Sequence, residues 1–253
     1  MPPIKHFSDP DFSLDDILLG AVLLVDKPLG WTSFDVVNKL KYFARHELQL
    51  PKLKIGHAGT LDPLATGLLV VCTGKATKSI GQFQGGEKEY TGTIYLGQTT
   101  PSFDLETAPQ GNFATGHITL EMLQEISQVF LGEHWQRPPI YSAKQVNGKR
   151  AYLAARAGEE MEMRPVQVTI NEFTIVRFQV PHVDFRIRCS KGTYIRSIAN
   201  DLGQKLGSGS YLSALRRTKS APFGVDDANL PEDIMKRLKE ISIARPLSNA
   251  YPS

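Results

Sequence analysis

Two short apolar runs stand out along the chain, residues 21–25 and 67–72, and both are strand-sized. The first is stopped by Asp26-Lys27-Pro28-Leu29-Gly30, which reads as a buried strand running into a turn. Thr32 or Ser33 then caps a helix whose apolar positions are Phe34, Val36, Val37, Leu40 and Phe43. Residues 56–67 hold three glycines and a proline and read as a loop that leads into a strand over 68–72. Residues 89–96 are rich in β-formers and predict a strand, and residues 98–116 are turn-rich and predict a surface loop. Leu120, Leu123, Ile126 and Phe130 have helical spacing. Pro138-Pro139 excludes regular helix over 136–143, and residues 151–158 suggest a short helix.

Two long strands are predicted over 166–180 and 182–189, around Pro181. The second alternates, with Val183, Phe185, Ile187 and Cys189 on one side and His182, Asp184, Arg186 and Arg188 on the other. Residues 193–206 read as a helix with Ile195, Ile198, Leu202 and Leu206 apolar. A strand over 211–218 and a last helix over 231–241 follow. The polar first nineteen residues form an arm or a short helix. Helices and strands are interspersed without a regular βαβ rhythm. The expected class is α/β of the α+β type, a mixed and largely antiparallel sheet flanked by helices.

At 253 residues, 41% hydrophobic and 22% charged, the composition is that of an ordinary soluble protein. The two cysteines, Cys72 and Cys189, exclude a disulfide-rich framework and a four-cysteine zinc site, and both are expected in the core. No apolar run reaches the ~18 residues of a membrane span. The start Met1-Pro2-Pro3, soon acidic, is unlike a signal peptide. A cytoplasmic protein is the expectation. Net charge is only +3, but residues 137–219 carry 15 Lys and Arg against 6 Asp and Glu. That concentration suits a face that meets a polyanion, and it also suits a solvated basic surface.

Chemistry concentrates in four places. In Gly56-His57-Ala58-Gly59-Thr60-Leu61-Asp62-Pro63 one carboxylate stands among small and apolar residues. Asp62 there could be a nucleophile, a general base, or simply an aspartate opening a turn before proline. In Cys189-Ser190-Lys191-Gly192-Thr193-Tyr194-Ile195-Arg196 a strand gives way to a helix, with Ser190 or Thr193 near the cap and Arg196 in the first turn. Arg196 could hold a carboxylate or a phosphate, or lie exposed. Basic and aromatic residues interleave in Arg137-Pro138-Pro139-Ile140-Tyr141-Ser142-Ala143-Lys144 and in Asn147-Gly148-Lys149-Arg150-Ala151-Tyr152, as suits stacking and phosphate contact. Arg216 and Arg217, adjacent on a strand, point to opposite faces, so at most one serves a given site. Gly74-Lys75-Ala76-Thr77 is not a P-loop, because Leu69 stands where the first glycine belongs.

Taken in order, these blocks resemble the bacterial tRNA pseudouridine-55 synthase family, TruB. The resemblance covers about residues 20–223 and includes Leu24-Val25-Asp26-Lys27-Pro28, the long block around Asp62, Lys88-Glu89-Tyr90, and Leu96-Gly97 with Thr99-Thr100 and Asp104. It continues through Gln136-Arg137-Pro138-Pro139, Gly148-Lys149-Arg150-Ala151-Tyr152, the block ending at Arg196, and Leu215-Arg216-Arg217. It implies the pseudouridine-synthase fold with a central catalytic cleft, isomerisation of uridine 55 in the T-loop of tRNA, and neither cofactor nor metal. It further implies that Asp62 is the essential nucleophile and Arg196 the arginine paired with it. Tyr90 stacks on the flipped base, and His57 contacts the RNA. Tyr194, Leu215 and Lys191 belong to the substrate pocket.

On this reading residues 1–19 are an arm, 20–223 the catalytic domain and 224–253 a short tail. Longer members carry a separate RNA-binding module, for which the tail is too short. The expected partner is the T-arm of tRNA, bound by a monomer with no obligatory protein partner and no membrane. A non-catalytic tRNA-binding protein and a synthase acting on another RNA are the competing expectations.

Overall fold

The structure is a computed structural model, which describes residues 5–141, 145–146, 149–150 and 163–244. The helix expected over 151–158 and most of the basic segment 142–162 lie outside the described residues. The chain divides into two compact units, one formed by residues 1–88 and 216–253, the other by 89–215.

The first unit is built on strand β2 (Ala21–Lys27). It pairs in parallel with β1 (Lys5–His6) and antiparallel with β4 (Ala65–Thr73), from Val22 opposite Cys72 to Lys27 opposite Gly67. Strand β3 (Ile55–His57) also pairs antiparallel with β4. Both sheet faces are covered, which is why residues 21–25 and 68–72 are continuously apolar rather than alternating. On one face Leu23, Val25, Leu69 and Val71 pack against helices α1 (Leu14–Leu19) and α2 (Ser33–His46) and a C-terminal helix, through Ile17, Val36, Val37, Leu40, Ile234 and Leu238. On the other, Val22, Leu24, Leu68, Val70 and Cys72 pack with Ala58, Ala76, Ile80, Phe83 and Phe223. Each fully buried aliphatic side chain there contributes about 1.5–3 kcal/mol. The second face is closed by a 3-10 turn over Gly74–Ser79 and a short helix α3 (Ile80–Gln84), which hydrophobic spacing did not reveal. Only Ala76 and Ser79 of those eleven residues are buried, so no helical period is written there.

Helix α2 starts where expected. Thr32 Oγ1 accepts from the Asp35 amide at 3.0 Å, and Asp35 Oδ2 accepts from the Thr32 amide at 2.8 Å, a reciprocal cap.

The second unit is a sheet in the order β11, β5, β10, β9, β6. Its strands are β5 (Lys88–Leu96), β6 (Gly132–Gln136), β9 (Val166–Gln179), β10 (His182–Cys189) and the first part of β11 (Ser210–Ser220). A separate antiparallel pair, β7 (Gln145–Val146) and β8 (Lys149–Arg150), precedes β9. Strands β9 and β10 form a long antiparallel hairpin, and β6 lines its outer side, also antiparallel. The alternation read from β10 holds. Val183, Phe185, Ile187 and Cys189 are buried, while Arg186 and Arg188 pair with Glu172 on the open face. Helices α4 (Leu120–Val129) and α5 (Ile195–Lys205) bury Leu123, Ile195, Ile198 and Leu202. The last elements, β12 (Phe223–Gly224) and α6 (Pro231–Ala244), return to the first unit.

One expectation needs correction. Helix α5 begins at Ile195, and its N-cap is Tyr194, which makes no side-chain capping bond. Thr193 turns its hydroxyl back to the Ser190 carbonyl at 2.9 Å instead of capping the helix.

Candidate active site

In the first unit the loop carrying Asp62 joins β3 to β4. It is held at alternate residues by three side chains that are themselves buried. Arg217, 2% exposed, donates from Nη2 to the Gly59 carbonyl at 3.1 Å and from Nε to the Leu68 carbonyl at 2.7 Å. Ser33 Oγ accepts from the Leu61 amide at 2.8 Å and lies 3.1 Å from the Leu61 carbonyl, to which it donates. Lys27 Nζ donates to the carbonyls of Pro28, Trp31 and Pro63 at 3.0, 2.5 and 3.4 Å, and the Gly30 amide donates to the same Pro63 oxygen at 2.9 Å. Asp62 therefore sits between two pinned residues, half-buried, with its own carbonyl accepting from the Ala65 amide. Gly67, at φ +98°, lets this loop lie against Arg217, since a Cβ there would run into the Arg217 carbonyl oxygen.

Electrostatics follow from this packing. Burial pushes the Lys27 ammonium down to about 8, while the Asp62 charge acts in the opposite direction. Below that value Lys27 is a fixed cation beneath the loop. His57 is held below the usual histidine range, first by burial and then by the Arg217 charge, so its ring is neutral at pH 7. Its Nδ1 is buried with no hydrogen-bond partner among the described residues.

In the second unit Arg196 is the second residue of α5 and only 3% exposed, so it is not an exposed helix arginine. Its Nη1 stands 3.4 Å from Asp104 Oδ2 and donates to the carbonyls of Tyr141 at 2.8 Å and Ser102 at 3.4 Å. Asp104 is presented by a tight loop. Its Oδ1 accepts from the Glu106 amide at 2.9 Å, and its carbonyl accepts from Ser102 Oγ at 3.0 Å. Phe103, between them, takes a positive φ of 64°, which only a locally over-determined backbone holds in a bulky residue. The start of α5 is fixed by Gln136. This residue is 3% exposed, accepts from the Tyr194 amide at 2.7 Å and donates to the Tyr194 carbonyl at 3.0 Å. Ser197 Oγ adds a bond to the Arg137 carbonyl at 2.8 Å. Tyr90 is buried on β5, Leu215 is half-buried on β11 and Lys191 is exposed after β10.

The structure thus places Asp62 and His57 in the first unit, and Tyr90, Lys191, Tyr194, Arg196 and Leu215 in the second. Sequence reasoning did not single out Lys27, Ser33, Gln136 or Asp104 as parts of a site, and of Arg216 and Arg217 it held only that at most one serves a given site. The one available signal was charge out of place, a lysine and an aspartate ending a wholly apolar strand. Of the adjacent arginines, Arg217 is buried under the Asp62 loop and Arg216 makes a bidentate pair with Asp26 at 3.0 and 2.7 Å. Among the described residues no cluster of His, Cys, Asp or Glu could hold a metal ion, and no helix is long and apolar enough to cross a membrane.

Two family profiles match the chain. That of the TruB family pseudouridylate synthase N-terminal domain covers residues 45–195, and that of the tRNA pseudouridylate synthase B C-terminal domain covers residues 196–242. A tRNA pseudouridine synthase B from Flavobacterium johnsoniae is 55% identical over 85% of this chain and 94% of its own length. One from Parabacteroides distasonis is 48% identical over 87% and 93%. Among solved structures, a chain in a Cbf5-Nop10-Gar1 complex superposes with a TM-score of 0.66 at 28% identity, over 92% of this chain and 62% of that one. A chain of an H/ACA RNP bound to a substrate RNA containing 2′-deoxyuridine gives 0.66 at 25% identity, over 98% and 65%. The chain therefore spans less than two thirds of either solved chain.

Proposed function

Because the chain belongs to the TruB family of pseudouridylate synthases, we propose that it converts uridine 55 in the T-loop of tRNA to pseudouridine, with Asp62 as the nucleophile. The observation that carries this reading is the likeness, over most of the chain, to relatives named tRNA pseudouridine synthase B. The pinned loop around Asp62 supports the residue assignment, because an attacking carboxylate needs a fixed backbone beneath it.

The reaction is an isomerisation. The bond from N1 of uracil to C1′ breaks, the base turns, C5 bonds to C1′, and the hydrogen on C5 leaves as N1 gains one. A base inside the T-loop must first be extruded, which costs a few kcal/mol. Stacking on Tyr90 offsets about 1–3 kcal/mol of that. Asp62 acts as a carboxylate, and in this reading Arg196 is its counter-ion and keeps it ionised. Asp104 steadies the guanidinium from within the second unit. His57 contacts the RNA in its neutral form, and Tyr194, Leu215 and Lys191 complete the substrate contacts. The enzyme works in the cytoplasm as a monomer, without cofactor, metal or obligatory protein partner.

The test is tritium release from tRNA carrying 5-tritiated uridine, wild type beside Asp62→Asn. Release by wild type and none by the variant is the expected result. Bound tRNA with no release by wild type would assign the chain to RNA binding or to another RNA.

A further inference from the structure

Helix α2 begins beside the Asp62 loop, through Ser33, and runs away from it for 14 residues. At 1.5 Å per residue that is about 20 Å. One side is core, with Val36, Val37, Leu40 and Ala44 buried. The other side has no covering element among the described residues and presents two aromatic rings far into solvent, Phe34 at 61% and Tyr42 at 65% exposure. Tyr42 lies against His46 with ring centroids 4.3 Å apart. Asn38 and Arg45 stand on the same side, with Lys39 and Lys41 at its margins and Lys52 and Lys54 exposed just beyond the helix. Two acids fall in this region. Asp35 is occupied in capping the helix, and Glu47 pairs with Lys239 at 2.7 Å.

We infer that this face of α2 is a docking track for the backbone and one exposed base of the RNA whose uridine reaches Asp62. Cations of one sign spaced along a rod, with a planar ring pair among them, match a polyanion that carries stackable bases. The track lies outside the basic stretch 137–219, in the unit that carries Asp62. It rests on the proposed function only in taking tRNA as the RNA.

The test is binding of an unmodified tRNA transcript to the full chain across salt concentrations, compared with a Lys39→Ala, Lys41→Ala, Arg45→Ala triple variant and with Tyr42→Ala and Tyr42→Phe. The triple variant is expected to bind at least tenfold more weakly. Its slope of log affinity against log salt should fall by about 2–3, roughly one for each phosphate left without its cation. Tyr42→Ala should weaken binding several-fold and Tyr42→Phe should not. If the triple variant does not fold by circular dichroism, Lys41→Glu alone should still weaken binding several-fold. Affinity and slope matching wild type in a folded variant would overturn the inference and leave the face to a protein partner. Binding is read apart from turnover. A wild type that releases no tritium but shows the slope change would overturn only the proposed reaction, whereas a wild type that binds no tRNA overturns both.

Discussion

Arg196 and Asp104 face each other at 3.4 Å with only 3% and 7% of their side chains exposed. The aspartate also accepts the Glu106 amide, so the pair is anchored to a loop on one side and a helix on the other. Removing one partner of a buried pair costs about 3–5 kcal/mol. Asp104→Ala is therefore expected to lower the unfolding free energy by about 3 kcal/mol in urea titration. Asp104→Asn, which keeps an acceptor for Glu106, should lose about half as much. Turnover should fall in both, because the guanidinium loses its charged anchor. Wild-type stability in Asp104→Ala would show that the pair holds nothing.

Gln136 makes both its bonds to the backbone of Tyr194, one as acceptor and one as donor. In Gln136→Glu the ionised carboxylate can accept but not donate, and it would face the Tyr194 carbonyl. The protonated acid restores both bonds. The bonded neutral form raises the folded pKa of that glutamate above its unfolded value of about 4.3, so its stabilisation is present at low pH and lost as pH rises through the folded value. The stability gap to wild type, about 1–3 kcal/mol at pH 8, should narrow at pH 5. A gap independent of pH would refute the two-bond role.

Around Asp62, glycines differ in what they require. Gly67 has φ +98° and its missing Cβ would strike the Arg217 backbone. Gly59 has φ +101° but its Cβ would lie 3.6 Å from the Arg217 guanidinium, in ordinary contact. Gly59→Ala should cost only the left-handed strain, about 1–2 kcal/mol. Gly67→Ala should cost distinctly more and depress the yield of folded protein. Thermal midpoints measured side by side decide it, and equal losses would mean that Arg217 yields.

Lys27 carries a pH signature. Its folded value, about 8, lies below the ordinary 10.5. Between those values the unfolded chain holds a proton that the folded chain has released, so stability rises with pH across the window. Below pH 8 the cost of burying the charge is present in full. Lys27→Met removes the titration. The stability of wild type relative to Lys27→Met should therefore increase from pH 8 towards 10, by an amount on the order of 3 kcal/mol. A flat difference would show the amine to be hydrated in the folded state.

Much of the fold was legible because periodicity reports burial directly. Strand β10 alternates because one face is open, and β2 does not because both faces are covered. The helix after residue 73 was invisible because it buries too little to set a period. At the site, the sequence motif pointed to Asp62 and Arg196, but not to what holds them. Lys27, Ser33, Gln136 and Arg217 act through backbone carbonyls and amides, which every residue possesses, so no pairing of residue types marks their partners. Residues 33–54 carry five Lys and Arg against two acids, too few to draw notice beside the stretch 137–219. Only the helix geometry sets Arg45 beside Tyr42, with Lys39 and Lys41 at the two margins of that side.

The division between the two units falls twice inside a strand, between Lys88 and Glu89 in β5 and between Leu215 and Arg216 in β11. There is no linker at either crossing to cut, lengthen or recombine. A break at residue 215 would leave two half-strands with open ladder bonds, each a template for the wrong partner. A fragment complementation design has no linker to use at either crossing.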